Sequence, residues 1–179
     1  MEFSSHFKGL EQDIKDLVIS SFTDSEGSDE GELIGELVLN LLSDTAPDDI
    51  QVFLARAGDE LVGAAVFTRL TYPDDHRVVF LLSPMAVATR WQGKAVGQRL
   101  LTHALDSLRE GGVDVAITYG DPAFYGKVGF KPLSQSIARP PLPLSQPEGW
   151  IGQSLTKEPL AALSGTSICV AALNDPSFW

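Results

Sequence analysis

Residues 85–101 read MAVATRWQGKAVGQRLL, an apolar segment that passes through a glycine-bearing turn into a helical pattern. The apolar segment begins at residue 78 and is interrupted only by Ser83 and Pro84. This predicts a buried strand with either a bulge or a splayed edge at Pro84, because proline cannot donate to a β-ladder. We expect the following helix to begin between residues 93 and 97, because apolar residues then recur at helical spacing, at Leu100, Leu101, Ala104, Leu105 and Leu108.

A turn that opens a helix after a buried strand is suited to binding phosphate. The first amides of a helix lack intrahelical acceptors and carry partial positive charge. Small residues at Gly93, Ala95 and Gly97 let an anion approach the backbone. Spacing argues against a P-loop, because Ala95 stands where serine or threonine is required, and the GxxxG spacing does not match the GxGxxG of a dinucleotide site. A helix start whose small residues serve only packing is the alternative.

A second element, GDPAFYGKVGF at residues 120–130, follows a predicted strand at residues 113–119. Together the two elements resemble the GNAT superfamily of N-acetyltransferases, and most closely its YhbS-like branch. In that family a QxxGxG or QxxGxA loop binds the coenzyme A pyrophosphate, and a later FYxxxGF segment supplies a tyrosine. The resemblance implies an α/β fold of mixed α+β type, in which a central, splayed, mixed β-sheet is flanked by helices and pantetheine fills the gap.

The resemblance also implies site residues. Tyr125 is the expected catalytic residue, a general acid that protonates the departing thiolate, and its alternative is a packing aromatic beside Phe124. A phenol of ordinary pKa gives its proton to a thiolate of pKa about 8.5 only slightly uphill. A backbone amide, by family likeness that of Val87, is expected to donate to the thioester oxygen. The expected acetyl-CoA contacts are Met85, Ala86, Val87, Gln92, Gly93, Lys94, Ala95, Val96, Gly97 and Gln98, and Lys127 reaches either a phosphate or solvent.

Ala95 departs from the family pattern, because the first glycine of the loop usually stands there. We expect Ala95 to lie in the first helical turn, where alanine needs no positive φ and the fold tolerates it. Its methyl group would then face the place of a phosphate oxygen. The departure predicts weaker or altered acyl-CoA binding.

Length and composition favour one domain over residues 1–179, since 44% of the residues are hydrophobic and support a substantial core. The single cysteine, Cys169, lies in an apolar run and is expected to be a core thiol, which favours a reducing compartment. Neither a leader pattern nor a membrane-length apolar run is present, so the sequence predicts a cytoplasmic protein without a membrane partner. No metal is expected, because no cluster has ligand spacing, and His6, His76 and His103 are expected to face solvent.

A formal net charge of -11 argues against a nucleic-acid partner and favours a cationic amine substrate. Much of this charge lies in DSEGSDEGE at residues 24–32. The segment is expected to be either a solvated loop whose acids stabilise the next helix, or an electrostatic funnel or mobile lid over an amine site. The general base is not identifiable from spacing, although Glu32, Glu36 or a water chain from Ser83 are candidates.

The remaining pattern predicts a mixed sheet with flanking helices. Helices are expected at residues 10–22 and 33–42, a hairpin at 52–57 and 61–71, a short helix at 123–126, a strand near Phe130 and a final strand at 168–173. The proline-rich segment 138–150 is expected to form an ordered loop that borders the substrate site, or else a polyproline II segment. Phe178 and Trp179 are expected to form an apolar plug on the last strand.

Two functions from different classes follow from the sequence. The first is an acetyl-CoA-dependent N-acetyltransferase that acts on a small cationic amine or on a protein amine. The second is a coenzyme-binding regulatory domain that has lost turnover. Tyr125 favours the enzyme, whereas Ala95 favours the regulatory domain. Family members often pair, so a homodimer is an open expectation.

Overall fold

A computed structural model describes all residues from 1 to 179. Seven strands form one sheet in the order β1-β2-β3-β4-β5-β7-β6. The strands are β1 (Glu2–Ser4), β2 (Ile50–Ala57), β3 (Glu60–Arg69), β4 (Val79–Val87), β5 (Val115–Tyr119), β6 (Lys131–Pro132) and β7 (Trp150–Ser154). The helices are α1 (Glu11–Glu26), α2 (Ser28–Asp44), α3 (Val96–Glu110) and α4 (Pro122–Tyr125). The predicted mixed α/β fold is confirmed.

The chain divides into two compact units. The first contains residues 1–67 and 84–104, and the second contains residues 68–83 and 105–179. The long elements β3, β4 and α3 each contribute residues to both units. None of the helices is long and apolar enough to cross a bilayer.

In the first unit, α1 and α2 pack closely because α2 carries glycines where they meet. A Cβ atom at Gly31 would lie 2.1 Å from Thr23 Oγ1, and one at Gly35 would lie 2.5 Å from Ile19 Cγ1. The buried residues of α1 recur at helical spacing, at Ile14, Leu17, Val18 and Ser21. The two helices therefore pack this closely only because the residues at 31 and 35 have no side chain.

The acidic segment at residues 24–32 is not a loop, which corrects the prediction. Its first residues end α1, and α2 begins at Ser28, five residues earlier than expected. Gly27 alone breaks the helix, with a φ of 100° that favours glycine. Asp29 and Glu30 lie in the first turn of α2, where carboxylates stabilise the helix dipole. The acids therefore belong to two helix ends rather than to a loop or a loop-like lid.

In the second unit, β5 is the central strand. It pairs in parallel with residues 79–82 of β4 and antiparallel with β7, whose first residue, Trp150, lies opposite Tyr119. The expected final strand at residues 168–173 is wrong. Only Ile168 forms an isolated bridge, to Thr71, and Ile168 is 58% exposed. A strand that the sequence did not predict, β7, begins instead at Trp150, the last residue of the proline-rich segment.

The last segment of the chain is fixed by polar contacts with residues 75–77. Arg77 donates to the carbonyls of Ala161 and Ala162 at 2.9 and 2.7 Å, and its guanidinium also pairs with Asp75 at 2.8 Å. Hydrogen bonds from the Arg77 side chain hold the pKa of the Asp75 carboxyl well below its usual range. This pair orders a segment that forms no strand ladder.

Two further predictions about side chains need correction. Cys169 is only half-buried rather than a core thiol, because its segment runs along the surface. His103 does not simply face solvent: its ring stacks on Phe3 at 5.4 Å and meets the edge of Phe53 at 6.0 Å. By contrast, Trp179 is buried as expected, against Trp150 of β7.

Candidate active site

The turn formed by residues 92–95, hereafter the 92–95 turn, joins the region after β4 to α3. Gly93 and Ala95 both have positive φ, 72° and 59°. The expectation that Ala95 lies in the first helical turn is wrong, because α3 begins at Val96 and Ala95 only supplies the carbonyl that accepts from Arg99 N at 3.0 Å. A left-handed alanine costs about 1 to 2 kcal/mol, so the turn contains backbone strain.

The backbone of this turn is open to a ligand. The amides of Gly93, Lys94 and Ala95 donate to no acceptor within the protein, and all three residues are exposed. A Cβ atom at Gly93 would meet nothing within 4 Å. The first amides of α3 add further free donors and the positive end of the helix dipole. The turn therefore has the donors and the space to accept an anion.

Side chains on either side hold this turn in place. Gln92 Nε2 donates to the Val87 carbonyl at 3.0 Å, and Ser21 Oγ donates to the same oxygen at 3.1 Å. Trp91 N donates to the Ala88 carbonyl at 2.7 Å. Lys94 Nζ lies 5.1 Å from the centre of the Trp91 ring, a cation–π contact. Gln92 therefore orders the turn in addition to any contact with a ligand.

The end of β4 offers backbone donors next to this turn. Leu70 N donates to Val79 O, and Ala88 N donates to Val62 O. From one of these bonds to the other, β4 advances nine residues, from 79 to 88, whereas β3 advances eight, from 62 to 70. The extra residue in β4 is the predicted β-bulge, and it lies in the stretch that includes Pro84. The N–H of Ala88 points towards β3. Because successive N–H groups of a strand point to opposite sides, the N–H of Val87 points away from β3.

The ten residues that are expected to contact acetyl-CoA lie in three parts of the first unit: the end of β4, the 92–95 turn and the start of α3. Met85 and Val87 are half-buried and Ala86 is buried at the end of β4. The residues from Gln92 to Ala95 form the exposed turn, while Val96 and Gly97 are buried in the first turn of α3 and Gln98 is half-buried. The chain thus brings them into one continuous strand, turn and helix start.

Tyr125, in the second unit, ends the short helix α4. Asp121 caps this helix by accepting from Ala123 N at 2.9 Å, and Pro122 occupies its first position. The Tyr125 ring meets Phe124 and Phe130 edge-on, with centres 5.0 and 5.7 Å away. Phe124 itself is half-buried. The Tyr125 ring is thus held by packing, which fixes the direction of its hydroxyl.

Three glycines surround this helix, and two of them are structural requirements. A Cβ atom at Gly120 would lie 2.8 Å from Tyr125 Cε2, so the ring fits only against glycine. Gly129 has a φ of 97° and ends the following 3₁₀ turn. Gly126 is helical with open space around it, so neither the backbone conformation nor a close contact requires glycine there.

The Tyr125 phenol is a weaker acid than expected. Burial raises its pKa to about 12, the Asp121 carboxylate also raises it, and a hydrogen bond with Thr118 lowers it. Thr118 Oγ1 in turn donates to the Leu82 carbonyl at 2.9 Å. Transfer of its proton to a thiolate of pKa about 8.5 is then about 5 kcal/mol uphill, rather than only slightly so. The phenol stays protonated throughout the neutral range.

Two clefts lie near these elements, one in each unit. In the first unit a cleft of about 560 Å³ lies between α1, the β2–β3 turn and residues 88–90. Its carboxylates include Asp13, Asp16 and Asp24, of which Asp24 accepts from Thr89 Oγ1 at 2.6 Å. Arg90 pairs with Glu60 across it. Asp24 is the one residue of the acidic 24–32 segment that lines this cleft.

In the second unit a cleft of about 220 Å³, hereafter the Trp179 cleft, lies beside the end of β5. Its walls come from three separate segments, which the sequence analysis had treated separately. Ser145, Gln146 and Gly149 lie in the proline-rich segment that was expected to border the substrate site, and Gly120 lies in the second motif. The lining residues are Tyr119, Gly120, Ser145, Gln146, Gly149, Ser177, Phe178 and Trp179.

The candidate bases differ in their surroundings. Glu36 forms an ion pair with Lys15, with Nζ and Oε1 2.7 Å apart, and this hydrogen bond raises the pKa of Lys15. Glu32 is exposed, and Ser83 is half-buried within β4. Lys127 is exposed. Glu36 is therefore already engaged, and the structure adds no base to the sequence candidates.

Comparison with known proteins shows the family to which the chain belongs, independently of the site geometry. A family model described as an acetyltransferase (GNAT) domain matches residues 48–132. The protein YjhQ of Escherichia coli (strain K12), described as an uncharacterized N-acetyltransferase, is 32% identical over 139 residues, which are 75% of this chain and 76% of YjhQ.

Solved structures share the fold at lower sequence identity. YhbS from Escherichia coli, solved in complex with CoA, has a TM-score of 0.81 at 20% identity and covers 97% of this chain and 92% of its own. An acetyltransferase from Brucella melitensis, solved in complex with acetyl-CoA, has a TM-score of 0.74 at 18% identity over 97% of each chain.

Proposed function

The chain belongs to the GNAT family of N-acetyltransferases, and we propose that it transfers the acetyl group of acetyl-CoA to the primary amine of a small cationic molecule. The family resemblance inferred from residues 92–97 and 120–130 is thereby confirmed. The observation that carries the proposal is the 92–95 turn, whose exposed amides have no acceptor within the protein and precede the start of α3. A pyrophosphate is the anion that this backbone suits.

In the proposed reaction, the neutral amine nitrogen attacks the carbonyl carbon of the thioester. A C–N bond forms and the C–S bond breaks, which yields an acetylated amine and free coenzyme A. The amine loses one proton to a base, and the thiolate gains one proton. Tyr125 is the proposed donor of that second proton, since its phenol is protonated at neutral pH.

The residues at the end of β4 and in the turn have distinct proposed roles. The N–H of Val87 faces away from β3 and is the proposed donor to the thioester oxygen, with Met85 and Ala86 beside pantetheine. The residues from Gln92 to Gln98 surround the pyrophosphate, mainly through backbone amides. Removal of one oxyanion donor typically costs about a hundredfold to a thousandfold in rate.

Electrostatics favour a cationic acceptor. The net charge of -11 attracts a protonated amine and repels anionic partners. A proton must leave that amine before attack, and Glu32 or water near Ser83 are the proposed routes. A protein amine is the alternative acceptor within the same chemistry.

The proposal is tested by incubating the purified protein with acetyl-CoA and a panel of polyamines, aminoglycosides, amino acids, aryl amines and peptides. We expect release of free thiol that requires one of these amines. If calorimetry shows acetyl-CoA binding but no amine accelerates release, the regulatory function gains support. Absence of acetyl-CoA binding would contradict the proposed role of the 92–95 turn.

A regulatory domain without turnover is the second candidate, and the left-handed Ala95 is the observation that favours it. The strain at this position and its methyl group both disfavour a loop that must fit a pyrophosphate closely. Under this alternative the protein binds acyl-CoA weakly and acetylates nothing.

We expect Ala95→Gly to tighten acetyl-CoA binding severalfold. Glycine adopts the left-handed conformation without strain and removes the exposed methyl group, while its greater freedom in the unfolded chain offsets part of the gain in stability. Isothermal calorimetry of both proteins with acetyl-CoA measures the change. An unchanged dissociation constant would remove the idea that Ala95 weakens the site.

A further inference from the structure

Thr118 lies where the pairing between β4 and β5 ends. Leu82 and Thr118 are the last residues that pair across these two parallel strands. Thr118 is 1% exposed, and its hydroxyl donates to the Leu82 carbonyl at 2.9 Å. Because a hydroxyl has a single proton, this bond leaves only the lone pairs of Thr118 Oγ1 for a second partner.

The second partner of the Thr118 hydroxyl is the Tyr125 phenol, and the two form a hydrogen bond. The Leu82 carbonyl can only accept, so it holds the Thr118 proton, and the other bond runs from the phenol to Thr118 Oγ1. The donors therefore have one direction, from Tyr125 through Thr118 to Leu82. All three residues lie in the second unit.

The other neighbours of the Tyr125 phenol do not stabilise a phenolate. Phe124 and Phe130 contact it with apolar rings. Asp121 is the charged group that acts on the phenol, and its carboxylate disfavours a second negative charge. Thr118 is thus the one neighbour that favours the ionised form, because a hydroxyl can donate to a phenolate oxygen.

We propose that Thr118 is a positioning residue for the general acid: its hydroxyl fixes the direction of the Tyr125 phenol, and it turns its own proton from Leu82 to the phenolate once the phenol has given its proton away. The inference rests on the proposed function, in which the O–H bond of Tyr125 breaks and an S–H bond forms on coenzyme A. Thr118 keeps its proton throughout and changes only the acceptor. This change is favourable because a hydrogen bond to a charged oxygen is stronger than one to a carbonyl.

The test measures the acidity of the phenol directly, by placing 2,3-difluorotyrosine at position 125 and following its fluorine NMR signal against pH. This analogue is a stronger acid than tyrosine, so it ionises at a lower pH. Both fluorines lie on one edge of the ring, which leaves the Cδ2–Cε2 edge to fit against Gly120.

The titration compares variants that differ in one hydroxyl. Thr118→Val keeps the shape of the side chain and removes the hydroxyl, whereas Thr118→Ser keeps the hydroxyl. Thr118→Ala also removes the hydroxyl and takes the place of valine if that variant does not fold. Thr68→Val is the matched control, because Thr68 is also 1% exposed and its hydroxyl has no hydrogen-bond partner.

We expect Thr118→Val to raise the pKa of the fluorinated phenol by about one to two pH units, the amount that a hydrogen bond to a charged group typically contributes. Thr118→Ser and Thr68→Val should leave this pKa unchanged. With tyrosine at position 125, Thr118→Val should lower kcat about tenfold for the panel amine that releases most thiol, and Thr118→Ser should restore it. The KM for acetyl-CoA should not change.

The outcomes separate this proposal from the proposed function. An unchanged pKa in a folded Thr118→Val protein, an equal rise in Thr68→Val, or a raised pKa with unchanged kcat would overturn the role of Thr118. Thermal unfolding shows whether each variant is folded. A pKa that rises only when the Thr118 hydroxyl is removed, in a protein that acetylates no amine, would support the action of Thr118 on the phenol while contradicting the proposed enzyme.

Discussion

Tyr125→Phe is expected to lower kcat by about a hundredfold or more and to leave the KM for acetyl-CoA within about twofold. The substitution removes only the hydroxyl, and the ring keeps its contacts with Phe124 and Phe130. General acid catalysis typically contributes factors of this size. Thiol release under saturating amine measures kcat, and thermal unfolding measures whether the fold survives. A loss of less than about threefold would assign Tyr125 to packing alone.

Tyr72→Phe is the matched control for the loss of a buried phenol hydroxyl. Tyr72 is 2% exposed, its hydroxyl donates to the Arg139 carbonyl at 3.0 Å, and burial raises its pKa to about 12. Its replacement leaves a carbonyl with fewer partners, which costs about 1 kcal/mol of stability. We expect kcat to remain unchanged. Equal loss of activity in both variants would show that stability, rather than acid catalysis, controls the rate.

The pH profile gives a second readout of the same hydroxyl. The pKa of Tyr125 is raised to about 12, so the phenol keeps its proton as pH rises through the usual range. We expect kcat to rise as the bound amine loses its proton and then to stay level to about pH 10. A decline of wild-type kcat between about pH 8 and 9 would identify a different acid.

The sequence predicted the strand, turn and helix of the candidate site because each has a strong local pattern. Pro84 signalled the bulge in β4, and the helical spacing after Gln98 located α3. The conformation of Ala95 was not predictable, because alanine favours the helix and only the path of the chain between Gln92 and Val96 forces it to turn. Local propensity therefore predicted the turn and the helix, but it did not predict the backbone strain at Ala95.

Errors elsewhere came from contacts distant in sequence. Residues 168–173 are apolar enough for a strand, but hydrogen bonds from Arg77 hold the chain before them to another path. Glycines at 31 and 35 are weak helix formers, yet α2 includes them because they admit α1. The sequence predicted a loop near residue 146 at a binding site but not the Trp179 cleft itself, since segments around residues 119, 146 and 179 meet only in the fold.

Ala95→Glu is expected to weaken acetyl-CoA binding thirtyfold to a hundredfold, the largest loss we predict for the turn. Ala95 is exposed between two amides without acceptors, so a carboxylate there would occupy or repel the proposed position of the pyrophosphate. Two negative charges about 7 Å apart near a protein surface repel by about 2.4 kcal/mol, which corresponds to a loss within this range. Calorimetry at low ionic strength measures it, and added salt should reduce the difference.

Ala95→Gln separates charge from size in this experiment. Glutamine has nearly the same volume as glutamate and suffers the same left-handed strain, so both variants share every effect except the negative charge. We expect Ala95→Gln to lose about tenfold or less. If both variants lose affinity equally, crowding rather than charge acts at this position. If neither loses affinity, the anion does not bind at the 92–95 turn, and the observation that carries the proposed function no longer supports it.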